Sequence, residues 1–213
     1  MLVLYDEEKN RRQVPKTKEY LSSKQYCDML YCYMQVKSDF DEQKKERYIL
    51  KKDWKHAAVA RDLNLSRQTV SNKLKQMVEL KLIEELDDRY IIITLPKEIA
   101  ELLPFETMRI LTNTVKENVI SVFIYLLIRY RAEKKEFPFT LRQVKVFIGL
   151  GESRSNDYII TDILLVLEKL GLLQYELRTE RQVDGSFRST YYVTGMTNKI
   201  LLTGGNETIK EKC

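Results

Sequence analysis

Apolar residues recur along positions 57–78 at the spacing of two short helices broken by one turn. Val59, Ala60 and Leu63 share one face of the first helix, and Val70, Leu74, Met77 and Val78 follow at i, i+4, i+7 and i+8 on one face of the second. Between them, Asn64 suits the left-handed backbone that ends a helix, Leu65 fills the corner, and Ser66 suits an N-cap. The polar positions sort to the other side, with Arg67, Gln68, Ser71, Asn72 and Lys75 on the outer face of the second helix. The pattern predicts a helix-turn-helix whose second helix is apolar inside and basic outside.

The surrounding pattern extends this unit. Upstream, Tyr26, Met29, Leu30 and Tyr33 stand at helical spacing behind Ser22 and Ser23, predicting a first helix over 23–36. Downstream, Leu82 to Leu86, a polar Asp87-Asp88 turn and the β-branched run Tyr90-Ile91-Ile92-Ile93 predict a hairpin. Helix, helix, helix and hairpin make a winged helix, with Arg89 just past the tip of the wing. Beyond Pro96 the same order is expected again. Residues 97–116 read as a linker with short helical pieces, Pro104 suiting the first turn of one of them. An apolar helix is predicted over 117–131, a short one from Thr140 to Ile148 ended by Gly149-Leu150-Gly151, and a longer one over 156–170. Strands over 174–181 and 187–194 close the pattern as a hairpin. The fold class expected is mainly α with small β-hairpin wings, an α+β chain of two tandem winged-helix domains. Their expected bounds are 1–95 and 117–196, with a helical linker over 96–116 and a tail over 197–213.

Charge separates the two copies. Residues 66–75 hold Arg67, Lys73 and Lys75 without an acidic residue, and Lys55 precedes them. The helix over 156–170 instead holds Asp157, Asp162 and Glu168 against Lys169, and Ile159, Ile160, Ile163, Leu164, Val166, Leu167 and Leu170 cover most of its circumference. Such a surface suits protein rather than phosphate, either its own core or a partner that is a second subunit or the other domain, and a homodimer through the second domain is expected where that partner is a second subunit. Arg178, Arg181 and Arg188 line the edge of the second hairpin, diluted by Glu176, Glu180 and Asp184.

Composition narrows the chemistry. Among 213 residues, 36 Lys and Arg against 31 Asp and Glu leave a net charge of +5, divided between the parts before and after Pro96, so phosphate affinity must come from local placement. Glycine-rich phosphate loops are absent, and Gly149 and Gly151 are followed by Glu152 and Ser153 rather than by lysine. The single histidine, His56, lies in the helix-turn-helix, which leaves nothing around which to build a nucleophile system or a zinc site. No enzymatic activity, cofactor or metal is expected. Cys27 and Cys32 are five apart on a predicted helix, about 140° around its axis, and are badly placed to bridge. The opening residues have the wrong order for a signal peptide, and the apolar run at 119–128 is about half of a bilayer crossing. A cytoplasmic protein with no membrane partner is expected.

With Ala60 in the first helix, Ser66 opening the second, and Thr69-Val70 behind it, residues 57–75 resemble the helix-turn-helix of bacterial DNA-binding proteins. Asn64 stands where that family usually has glycine. As an arrangement, the expected tandem is similar to plasmid and phage replication initiators of the iteron-binding kind and to related regulators. The resemblance implies double-stranded DNA as partner and a role in replication initiation or transcription control on a mobile element. It further implies that the helix after Ser66 enters the major groove, that Thr69 and Ser71 contact phosphates, and that Arg67, Gln68 and Asn72 read base edges. The alternative is a winged-helix protein scaffold in chromosome organisation or partition, supported by the acidic, apolar helix over 156–170.

Overall fold

Helices take up the long apolar repeats of this chain, and most of the strands between them are only three to five residues long. The computed structural model describes residues 11–16, 28–114, 118–181 and 185–197. In chain order these form β1 (Arg11–Pro15), α1 (Asp28–Lys37), β2 (Asp39–Asp41), β3 (Glu46–Leu50), α2 (His56–Asp62), α3 (Arg67–Glu79), β4 (Ile83–Glu85) and β5 (Arg89–Ile92). There follow β6 (Ala100–Pro104), α4 (Phe105–Asn113), α5 (Val119–Glu133), β7 (Phe137–Phe139), α6 (Leu141–Ile148), α7 (Arg154–Lys169), β8 (Leu173–Arg181) and β9 (Phe187–Met196). Of the expected elements, residues 23–27 of the first helix, with Tyr26 and Cys27, lie outside the described residues, as do residues 182–184 of the second hairpin turn and 198–213 of the tail.

Two helices are apolar nearly all round and occupy the centre. Leu30, Tyr31, Cys32, Tyr33 and Met34 of α1 are buried in succession, as are the residues from Val119 to Ile124 of α5. A helix with no polar face must be covered on all sides. α1 accordingly packs against α4 and α5, and α5 against α6 and α7. The other helices bury one stripe each: Val70, Leu74 and Met77 on α3, and Ile160, Ile163, Leu164 and Leu167 on α7. Val78, expected inward, is at the margin of the α3 stripe and exposed.

Local signals set the helix ends. Thr140 closes a capping box with Gln143, and Gly149, at φ 74°, ends α6 in the left-handed region. α3 and α7 turn into their following strands in the same way. Lys81 (φ 55°) and Gly171 (φ 67°) adopt positive φ, and the next N–H groups, of Leu82 and Leu172, reach back to the carbonyls of Met77 and Leu167 at 2.9 and 3.0 Å.

The sheets correct the expected fold class. In place of mainly helical, tandem winged-helix domains with small hairpin wings, the described residues hold seven helices and nine strands in three sheets, an α+β mixture. The β4–β5 hairpin is no free wing, because β3 pairs along the other edge of β5 and β2 along β3, giving the order β2-β3-β5-β4. The second hairpin takes β7 as a third strand, in the order β7-β9-β8. Residues 97–116, expected as a helical linker, begin with β6, which pairs with β1 from Arg11 opposite Pro104 to Pro15 opposite Ala100. Buried side chains from Val14 to Val193 form one core cluster. Strands of three to five residues are too short to leave a periodic trace in sequence, and most of these pair with distant partners, which is why the expectation missed them.

Among the described residues no helix is long and apolar enough to cross a membrane.

Met77 is fully buried beneath α3. Met77→Ala is expected to cost about 2–5 kcal/mol of unfolding free energy, measured by urea denaturation, because the residual cavity adds to the lost transfer energy.

Candidate nucleic-acid interface

The helix-turn-helix is built by α2, a four-residue turn and α3. Leu63 follows the last residue of α2, and Asn64 takes φ 52°. The Asn64 N–H donates to the Arg61 carbonyl at 3.2 Å and the Leu65 N–H to the Ala60 carbonyl at 2.8 Å. These two bonds make a Schellman end, with asparagine supplying the positive φ that glycine usually supplies. Ser66 then adopts extended backbone, and its Oγ accepts from the Thr69 N–H at 3.0 Å and lies 2.8 Å from Thr69 Oγ1. The orientation of α3 relative to α2 thus follows from four residues.

Burial of Val70, Leu74 and Met77 turns the opposite face of α3 to solvent. Arg67, Gln68, Asn72 and Lys75 are exposed, while Ser71, Lys73 and Thr69 are half-buried on the flanks. Gln68, Asn72 and Lys75 stand at i, i+4 and i+7, in one stripe. The Gln68 Nε2–H donates to Asn72 Oδ1 at 2.9 Å. That bond orients both amides and leaves a carbonyl oxygen on Gln68 and an N–H donor on Asn72, the acceptor and donor pair that an adenine edge requires. No acidic residue occupies the first turn of α3.

The remaining predicted site residues differ in setting. Lys55 is exposed at the N-terminal end of α2. Arg89 does not project beyond the β4–β5 turn: it donates to both carboxylate oxygens of Asp88 at 2.8–3.1 Å and lies over the Tyr48 ring at 5.3 Å. The Asp88 hydrogen bonds raise the Arg89 pKa above its ordinary value. Arg178 is held more fully, donating to both Glu136 oxygens at 3.0 and 2.9 Å and to Glu176 at 3.0 Å, with its guanidinium 4.4 Å from the Tyr192 ring centre. Glu136 first and Glu176 second push its pKa upward. Arg181 and Arg188 are exposed toward the end of the β8–β9 hairpin, in a different sheet from Arg89. The structure therefore gathers Ser66 to Lys75 on one helix and its N-cap and places the four hairpin arginines elsewhere.

On α7, Asp157 accepts an ion pair from Lys145 of α6 at 2.6 Å, and Lys145 is itself buried. One of the three acidic residues that distinguish α7 from α3 thus serves packing between α6 and α7. Sequence reading also passed over a group of cations that lines a cleft away from α3: Arg11, Lys45, Arg47 and Lys97. Its only signal is a basic residue in each of four segments that come together through strand pairing.

Comparison with protein-family models, curated proteins and solved structures finds no match to this chain.

The Ser66 cap is a measurable part of this geometry. Ser66→Ala is expected to lower stability by about 1 kcal/mol while Ser66→Asp retains most of it, read from paired urea unfolding curves.

Proposed function

We propose that this chain binds double-stranded DNA sequence-specifically, with α3 in the major groove, and acts in replication initiation or transcription control of the kind found on plasmids and phages. The observation that carries the reading is the solvent-facing stripe Gln68, Asn72 and Lys75, with Arg67 beside it and the two amides already oriented by their mutual hydrogen bond. In this reading Arg67, Gln68 and Asn72 meet base edges, Ser66, Thr69 and Ser71 meet phosphates at the helix start, and Lys55, Lys73 and Lys75 supply charge. Arg181 and Arg188 reach backbone if the duplex extends to the β8–β9 hairpin. Arg89 and Arg178 contribute less, because their charge is already engaged by carboxylates. The resemblance of residues 57–75 to bacterial helix-turn-helix proteins supports the partner class, and the biological process rests on that resemblance alone.

Selection of retained duplexes from a random pool, followed by binding measurements on the winner, tests the reading. About 4 to 6 phosphate contacts should give a log–log salt slope of roughly −4 to −5. Gln68→Ala and Asn72→Ala are each expected to lose roughly 1–3 kcal/mol on the selected site with little change on random duplex, whereas Lys75→Ala weakens both alike. Equal losses on both duplexes for all three variants, or no duplex binding at low salt, would sink it.

A second reading, assembly through protein contacts with a second copy as partner, is favoured by the outer side of α7. Tyr158 (73 %), Leu165 (45 %) and Ile159 (40 %) are exposed there. Leu165→Glu is expected to reduce the sedimentation mass from dimer to monomer in analytical ultracentrifugation, and a wild-type protein that sediments as a monomer at high micromolar concentration excludes this reading.

A further inference from the structure

The hairpin of β8 and β9 is longer than the sheet that supports it. Its strands pair from Leu173 opposite Met196 to Arg181 opposite Phe187, whereas β7 pairs with β9 only from Tyr191 to Val193. Beyond Tyr191 the opposed residues Arg178 and Thr190, Thr179 and Ser189, Glu180 and Arg188, and Arg181 and Phe187 form a two-stranded arm, with no third strand among the described residues. Four residues per strand make it roughly 13 Å long. The base of the arm is fixed. Arg178 donates to both oxygens of Glu136, the residue before β7, at 3.0 and 2.9 Å and lies over the Tyr192 ring. One pair further out, the Thr179 and Ser189 hydroxyls lie 2.8 Å apart across the strands.

Alternation of side chains carries the core-facing side of the hairpin out along the arm. Val193 is buried and the Tyr191 ring lies 5.5 Å from that of Phe139. The same face continues with Leu177 opposite Tyr191, then Thr179 opposite Ser189, then Arg181 opposite Phe187. Here the core has ended: Leu177 is 54 % and Phe187 72 % exposed. Among the described residues of the two strands this face holds no acid, because Glu176 and Glu180 stand on the other one, opposite Tyr192 and Arg188. The outer part of the arm thus presents an uncovered phenyl ring beside an exposed arginine, with Arg188, also exposed, next in the chain. A ring left in water forgoes the transfer free energy that burial would supply, and no core residue of this chain covers it.

We propose that this arm enters the minor groove of the duplex that the chain binds, that Phe187 wedges between two base pairs and kinks the DNA, and that Arg181 meets the phosphates of the groove edge. Apolar wedges of this kind, phenylalanine among them, partly unstack a base step and kink the duplex by roughly 20–90°. Charge selects duplex DNA over a protein as the occupant: Arg181 and Arg188 flank the ring in space and in sequence, and the face that bears the ring holds no carboxylate to repel a phosphate. The inference rests on the DNA-binding reading and adds to it. A kink at a deformable step selects sequence through the stiffness of the duplex, at positions that α3 does not touch.

The test uses the full-length chain and the duplex retained by selection, with a donor and an acceptor dye at its two ends and 2-aminopurine placed in turn at successive base steps. Wild type is expected to raise energy transfer between the ends and, at one step, to raise 2-aminopurine fluorescence severalfold. Phe187→Ala is expected to lose both signals while binding the duplex within about tenfold of wild type, and Phe187→Trp to keep them. Arg181→Ala is expected to lower the log–log salt slope by about 1. Circular dichroism melting verifies that these exposed substitutions leave the fold unchanged. Duplex bound by wild type without bend or unstacking overturns the inference, as do signals that Phe187→Ala leaves intact, and either result leaves the α3 reading standing. Absence of any duplex binding overturns both. A wild-type dimer that Phe187→Ala converts to a monomer, with the bend unchanged, assigns the arm to a second copy and overturns the inference likewise.

Discussion

Trp54, the single tryptophan of the chain, is the contact on which the helix-turn-helix depends. Buried between α1 and the first β-sheet, it meets Tyr33 edge-on at 6.2 Å and Tyr90 edge-on at 6.1 Å. Each such pair contributes roughly 0.5–1.5 kcal/mol beyond its area burial. The three rings come from α1, from the segment entering α2 and from β5, so they fix where α2 begins. Its other end is fixed by the Tyr33 hydroxyl, which donates to Asp62 at 2.8 Å. Burial and the Asp62 carboxylate raise the Tyr33 pKa, which keeps that donor protonated. With α2 held at both ends and a Schellman turn behind it, α3 has one direction available, and the polar stripe on its outer face follows.

What could be read from sequence was what acts locally. The turn at Asn64, the Ser66 and Thr140 caps, the Gly149 stop and the buried stripe of α3 each depend on residues within a few helix turns of one another, and each has a residue-level signature. The strands β1, β3, β6 and β7 depend instead on partners far away in the chain, and β2 on pairing with β3. ERYIL and RRQVP carry too much charge to read as buried strands, and FPF and DFD are too short to show alternation. The error about fold class has the same origin: a hairpin looks like a wing until a third and fourth strand pair with it. The Lys145–Asp157 pair was missed for a related reason, because a lysine in the helix LRQVKVFI reads as solvated until α7 covers it.

Charge in this chain is divided by partner rather than by region. Arg89 and Arg178 are spent on carboxylates and aromatic faces within their own sheets, and Arg12 donates from Nε to the Gln35 carbonyl at 2.9 Å beneath the Phe105 ring. Arg67 and Lys75 project from a helix face whose first turn holds no acid. A net charge of +5 therefore says little about binding, because the same number would result if every cation were engaged internally. Position relative to carboxylates decides which cations remain available to a ligand.

The cleft between the β1–β6 ribbon and the four-stranded sheet follows from the same logic applied to stability. Placing Arg12 and Arg47 close enough for mutual repulsion, with both partly desolvated, costs folding free energy that apolar residues of similar volume would not. The fold offsets this with contacts that surround the pair: the Gln13 clamp on Leu95, the Arg12 bond to Gln35, and the Arg47 guanidinium 5.1 Å from the centre of the Phe40 ring. The ribbon, which joins the N-terminal end of the described chain to its middle, therefore keeps its place against the four-stranded sheet through the Gln13 clamp as well as through its own strand pairing.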